Sequence, residues 1–263
     1  MNLPEKKNSR IDSYTASDLR HHREQLSMAF RLAERFGFHE GICNHFSVAL
    51  DGDKEHYLIN PYGLHWSEIT PDALLLIDGD GQILEGDGEL EDSARFIHVA
   101  GHRANPRHKA LMHTHMPYTT ALTMLQGDHC ELQMAHQTAA RFAGRIAYEH
   151  AFGGIALDAE EGARIAQRSQ KSPDVDVVFL AAHGVVIGAP TVAQAFDDLY
   201  YLERASRQQI LALQTGLPLV KLADDVVKLT AEQSQKTLAE YADKHFKALS
   251  RVLEAHPDRM MTF

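Results

Sequence analysis

Two hydrophobic periods alternate along the chain. Over residues 19–36 the apolar positions Leu26, Ala29, Phe30 and Ala33 recur at helical spacing, which predicts an amphipathic helix capped by Ser17-Asp18 and stopped by Gly37. Short strand-like runs follow at 43–50, 56–60 and 74–78. The last of these turns at Gly79-Asp80-Gly81 and pairs back through 82–85 as a hairpin. A short helix is predicted at Trp66. Helical spacing returns at 93–104, 119–125, 159–169 (with Asp158 as N-cap), 191–214 and 230–254, and 135–142 reads as helix or irregular. Strands are predicted at 110–116, 145–148, 175–181 and 185–188. In the final helix Leu238, Tyr241, Phe246 and Leu249 are the expected core positions. This order predicts one α/β domain whose sheet lies between helical layers. The expected division is a loose arm at 1–15, a main domain at 16–220 and a helical extension at 221–263.

Composition narrows the picture. A chain of 263 residues has room for a full core, and a net charge of −10 argues against a generic nucleic-acid surface, which would carry a basic stripe. Its two cysteines, Cys43 and Cys130, lack CxxC spacing and suggest a reducing compartment. The first residues have no apolar signal region and no run reaches membrane-spanning length, so a cytoplasmic protein without membrane or nucleic-acid partners is expected. Seventeen histidines are many, and they cluster.

The chemistry centres on Leu111-Met112-His113-Thr114-His115-Met116. On a strand, positions two apart share a face, so His113 and His115 aim both imidazoles at one point. His183 stands at a strand-end turn before Gly184, where a glycine lets backbone approach closely. Three imidazoles that converge leave an open coordination position, as in a catalytic zinc site, and supply a Lewis acid able to polarise a carbonyl or hold an enediolate. The competing reading of a bare HxH is two ordinary strand histidines. Arg141 and Arg145 beside Gly144 read as a solvated helix face, and Tyr200-Tyr201 as packing.

The ordered set Gly41…Asn44…Ser47, Asn60-Pro61-Tyr62-Gly63, Phe96-Ile97-His98, Ala104-Asn105-Pro106, His113-Thr114-His115-Met116-Pro117-Tyr118 and Ala182-His183-Gly184 resembles the class II aldolase/adducin family over about 19–217. The resemblance implies a three-layer α/β/α sandwich with a central, mostly antiparallel sheet, and commonly a homotetramer with active sites between subunits. It implies His113, His115 and His183 as ligands of a divalent metal, usually zinc. It also implies Asn44, Ser47, Tyr62, Gly63, Asp92 and Ser93 as the substrate-binding positions for a small molecule.

Two departures limit that transfer. The acid/base glutamate of the sugar-phosphate aldolases falls on Ala94, which cannot move a proton, and Tyr62 and Asp92 replace residues suited to a phosphate. His98, four residues after Ala94 on the same helix face, and Tyr118 become the candidate catalytic groups, with His102 one turn further. His98 is alternatively a fourth metal ligand or a packed residue. The sequence thus points to a metal-dependent, aldolase-like lyase acting on a small hydroxy-carbonyl or hydroxy-acid compound. A non-catalytic adducin-like binding or assembly protein and a metal-dependent epimerase, decarboxylase or dehydratase are the alternatives.

Overall fold

The computed structural model describes residues 14–154, 159–170 and 172–261. The expected cap at Asp158 and most of the 1–15 arm lie outside them. Eight strands form one sheet in the order β4-β3-β2-β1-β5-β8-β7-β6. They are β1 (His45–Ala49), β2 (His56–Ile59), β3 (Leu75–Asp78), β4 (Ile83–Glu85), β5 (Ala110–Thr114), β6 (Ile146–Glu149), β7 (Val177–Leu180) and β8 (Gly184–Ala189). Every pairing is antiparallel except β6 with β7.

Helices cover both faces, as the alternation along β5 requires. Ala110 and Met112 point into a core shared with α1 (Ala16–Arg35) and α6 (Val192–Leu213). Leu111 points the other way, against Ile97 of α2 (Asp92–Ala104) and Ile165 of α5 (Ala159–Ser169). In the larger core Phe30 stacks on Phe46 at 4.6 Å and meets Trp66 edge-on at 5.2 Å. Burying each such side chain stabilises the fold by about 1.5–3 kcal/mol. Two shorter helices, α3 (Pro117–Thr123) and α4 (Gln137–Ala140), precede β6, and α7 (Asp224–Ala255) is the last helix of the described chain.

The structure moves some expected boundaries. The cap of α1 is Thr15, not Ser17-Asp18: its hydroxyl accepts from Asp18 N–H at 3.1 Å while the Asp18 carboxylate accepts from Thr15 N–H at 2.9 Å, a reciprocal capping box. The last helix starts at Asp224, six residues before the expected 230. Of its expected core positions Phe246 is buried and Leu249 packs partly against the core, but Tyr241 is exposed, its hydroxyl 2.7 Å from that of Tyr201.

Arg141 and Arg145 are not on a solvated face. Arg145 Nε donates to Asp176 at 2.7 Å and its Nη2 to Asp198, while Arg141 donates to Asp197 at 2.6 Å. His108 bonds the other Asp176 oxygen at 2.9 Å, and His245 of α7 bonds Asp197 at 2.7 Å. Charges this deep are tolerated only when paired, so the network ties the starts of β6 and β7 to α6 and α7.

Candidate metal centre

His113 is fixed by strand pairing on both sides, facing His45 across β1 and Val186 across β8. Its Nδ1–H donates to the Val185 carbonyl at 3.0 Å, which leaves Nε2 as the free lone pair. His115 lies one residue beyond the strand, and its Nδ1–H donates to the Glu40 carboxylate. His183 sits on the turn between β7 and β8, after Ala182, whose φ of 52° is unusual for a residue with a side chain. The three rings converge, with centroids 5.0 Å apart for His113–His115 and 4.8 Å for the two pairs with His183.

One ligand atom from each of the three lies within 4.8 Å of the others, a group able to hold a metal ion. The donor set fits such an ion. His115 Nε2 is buried without a hydrogen-bond partner, an arrangement that costs free energy unless something binds there. Burial and the neighbouring histidines push His113 well below the ordinary imidazole range and His183 down to about 4, so both are neutral as ligands must be. Close packing supports the same geometry: a Cβ on Gly184 would stand 2.6 Å from the Thr114 oxygen and 2.7 Å from His115 Cδ2.

Beside His113 a column of buried imidazoles runs under α2. His102 Nδ1–H donates to the His108 carbonyl at 2.7 Å, and a carbonyl can only accept. His102 Nε2 therefore accepts from the Ser47 hydroxyl, at 2.7 Å. Ser47 in turn accepts from His98 Nδ1–H, and His98 Nε2 accepts from His45 Nδ1–H at 2.8 Å. His45 Nε2 is left without a proton, 3.4 Å from the Ser93 hydroxyl. Burial is the main cause that holds His45 near 3, His102 near 4 and His98 well below the normal value, which keeps all three neutral.

The sequence candidates separate in space. Asn44 is at the centre, its side-chain oxygen accepting from His115 N–H at 3.3 Å with its own φ at 77°. Ser47 is fully buried and its hydroxyl is occupied by two imidazoles, so it supports the site from beneath instead of facing a ligand. Asp92 is exposed at the start of α2, and Ser93 is buried and donates to Glu91 at 3.0 Å. Tyr62 is 48% exposed and Gly63 takes a φ of 91°, open to glycine. His98 lies behind His45 and outside the converging group. Tyr118 is the second residue of α3, where Glu203 accepts from its N–H at 2.8 Å and its ring lies 5.4 Å from the Arg207 guanidinium. Ala94 packs with Tyr57, Ile59 and Leu75.

Sequence reasoning passed over His45 and Glu40. His45 and Ser47 share a strand face by the same i, i+2 rule that singled out His113 and His115, so that signal was present. Beside His183 a cavity of about 470 Å³ opens, lined by Met124, Leu125, Phe152, Ala181 and Ala182 among others.

The fold agrees with that of proteins similar in sequence and structure. The family model for the Class II Aldolase and Adducin N-terminal domain matches residues 24–210. An adducin-related protein of Schizosaccharomyces pombe is 31% identical over 249 residues, covering 88% of this chain and 74% of the relative. The crystal structure of an aldolase II superfamily protein from Pseudomonas syringae superposes with a TM-score of 0.83 at 31% identity, over 94% of this chain and 98% of that one. An L-fuculose 1-phosphate aldolase from Glaciozyma antarctica PI12 shares the fold, with a TM-score of 0.79 at 21% identity over 92% and 95% of the two chains. This chain belongs to the class II aldolase and adducin family. Its fold is the α/β class of that family, a mostly antiparallel sheet between helical layers.

Proposed function

We propose that this protein is a divalent-metal-dependent enzyme of the lyase type, acting on a small hydroxy-carbonyl or hydroxy-acid compound. The supporting observation is the convergence of His113, His115 and His183, with a buried, unpartnered His115 Nε2 among them. These three side chains would hold the ion, zinc being the proposed metal, and its chemistry there is that of a Lewis acid towards a carbonyl or hydroxyl oxygen.

The chain's own residues set the rest. Val185 and Glu40 orient two of the ligands, and Asn44 fixes the backbone of His115. Glu91 and Asp92 place carboxylates where α2 begins, so the reading favours a substrate without a phosphate. His98 reaches the converging histidines through His45, next to His113, which makes it a positioning residue in this reading. The exposed apolar side chains Met124, Leu125 and Phe152 suit a subunit boundary near the site, in a cytoplasmic homo-oligomer proposed to be a tetramer.

The test is metal analysis of protein expressed with ample zinc, beside His113→Ala, followed by cleavage assays on phosphorylated and unphosphorylated hydroxy-carbonyl compounds. About one zinc per chain, lost in the variant, with turnover of unphosphorylated compounds is expected. Absence of metal from the wild type, or strict use of phosphorylated substrates, contradicts the reading.

One observation favours a second reading, a non-catalytic binding or assembly protein. The position of the aldolase glutamate holds Ala94, buried in an apolar cluster. Stoichiometric metal without turnover of any such compound would support it.

A further inference from the structure

His115 is held unlike the other two histidines. His113 is built into the sheet, whereas His115 stands past the last residue of β5, where strand pairing no longer fixes it. Its restraint comes from one short segment of distant sequence. Phe38 offers its carbonyl to the Thr114 hydroxyl, Glu40 its carboxylate to His115 Nδ1–H, and Asn44 its side-chain oxygen to His115 N–H at 3.3 Å.

That segment is itself tightly wound. Cys43 N–H donates to the Glu40 carbonyl at 3.0 Å, Gly41 takes a φ of 58° and Asn44 one of 77°. The turn thereby brings the acid at its start and the amide at its end onto the same residue. On the opposite side Gly184 leaves no space for His115 to retreat, since even a Cβ there would lie 2.7 Å from the ring. The Glu40 side chain is 65% exposed and makes no contact that explains its placement except this one, among the described residues.

We propose that Glu40 is a positioning residue for metal binding: its carboxylate holds His115 with the proton on Nδ1 and Nε2 turned to the ion. The inference rests on the three-histidine reading above and adds to it a partner outside the ligand set. A carboxylate behind a ligating imidazole fixes the ring and raises its basicity, and loss of such a partner weakens metal affinity by roughly 10–100-fold.

The experiment measures zinc affinity of the full-length, metal-stripped chain by competition with a chromophoric chelator, for wild type, Glu40→Ala, Glu40→Gln and His115→Ala. Nitrogen-15 NMR of the imidazoles reads the His115 tautomer in the same zinc-free samples. Thermal melts select variants that remain folded. Expected results are a roughly 10–100-fold loss for Glu40→Ala and a smaller loss for Glu40→Gln, whose amide oxygen still accepts from Nδ1–H. The tautomer should be Nδ1–H in wild type and mixed in Glu40→Ala. Zinc affinity within twofold of wild type in Glu40→Ala, while His115→Ala loses binding, overturns the proposal and leaves the metal site standing. Zinc binding unaffected by His115→Ala overturns both. An unchanged tautomer in Glu40→Ala overturns the role of Glu40 whatever the metal result. A zinc-loaded structure with a Glu40 oxygen bound to the ion also overturns it, since Glu40 would then be a ligand.

Discussion

Ser47 joins His98 and His102: its single hydroxyl donates to one imidazole and accepts from the other, and all three groups are buried. Removing that oxygen leaves a donor on His98 and a lone pair on His102 with nothing to bind. Each such group costs about 1–3 kcal/mol, so Ser47→Ala should lower unfolding free energy by roughly 2–6 kcal/mol in urea titrations. A change below 0.5 kcal/mol would show that water or a rotated ring replaces the hydroxyl.

The same column sets an acid limit. His45 and His102 titrate near 3 and 4 in the folded chain, and His98 well below the normal value, against about 6.5 when unfolded. Between these limits the unfolded chain binds more protons, so stability is full above about pH 6.5 and declines as pH falls towards 4. Melting temperatures of zinc-free protein across pH 4–8 should follow this slope. His102→Gln should make it shallower, with His45, His98, His113 and His183 carrying the remainder; an unchanged slope assigns the acid sensitivity to groups other than His102.

Gly184→Ala tests how closely the turn packs on the HxH strand. The added carbon meets the Thr114 oxygen at 2.6 Å and His115 Cδ2 at 2.7 Å, neither on a flexible end. Overpacking of this sort costs about 1–3 kcal/mol. Zinc affinity should fall together with the melting temperature. Wild-type values for both would mean that the β7–β8 turn shifts without strain.

Ala94→Glu restores the residue type found in the sugar-phosphate aldolases. Here position 94 is 2% exposed and packs with Tyr57, Ile59 and Leu75, so the carboxylate would replace an apolar contact. A stability loss of about 2 kcal/mol or more and no gain of aldol cleavage are expected. Wild-type stability accompanied by new cleavage activity would show that the side chain reaches the metal centre.

Local pattern carried the elements and the histidine pair, because both depend on periods of 3.6 and 2 that a short window contains. The stripe of His98 and His102 on α2 was readable for the same reason. Its contact with His45 and Ser47 was not, since it requires α2 to lie across β1, an arrangement set by the sheet order. Arg145 shows the limit more sharply. Beside Gly144 it has the sequence surroundings of a surface residue, and the partners that bury it, Asp176 and Asp198, are 31 and 53 positions away. Glu40 gave no signal at all, being a single acid in a polar turn whose meaning depends on a residue 75 positions later.

Strand β5 lies in the interior of the sheet, bonded to β1 on one side and β8 on the other. Amide protons in such a strand exchange only when much of the domain opens. The His113 amide should therefore be among the slowest to exchange, whereas His115 and His183 stand beyond the strand ends. Warming or mild denaturant should first blur two corners of the triangle while the third stays fixed, so metal release would report loosening of the rim well before the sheet itself comes apart.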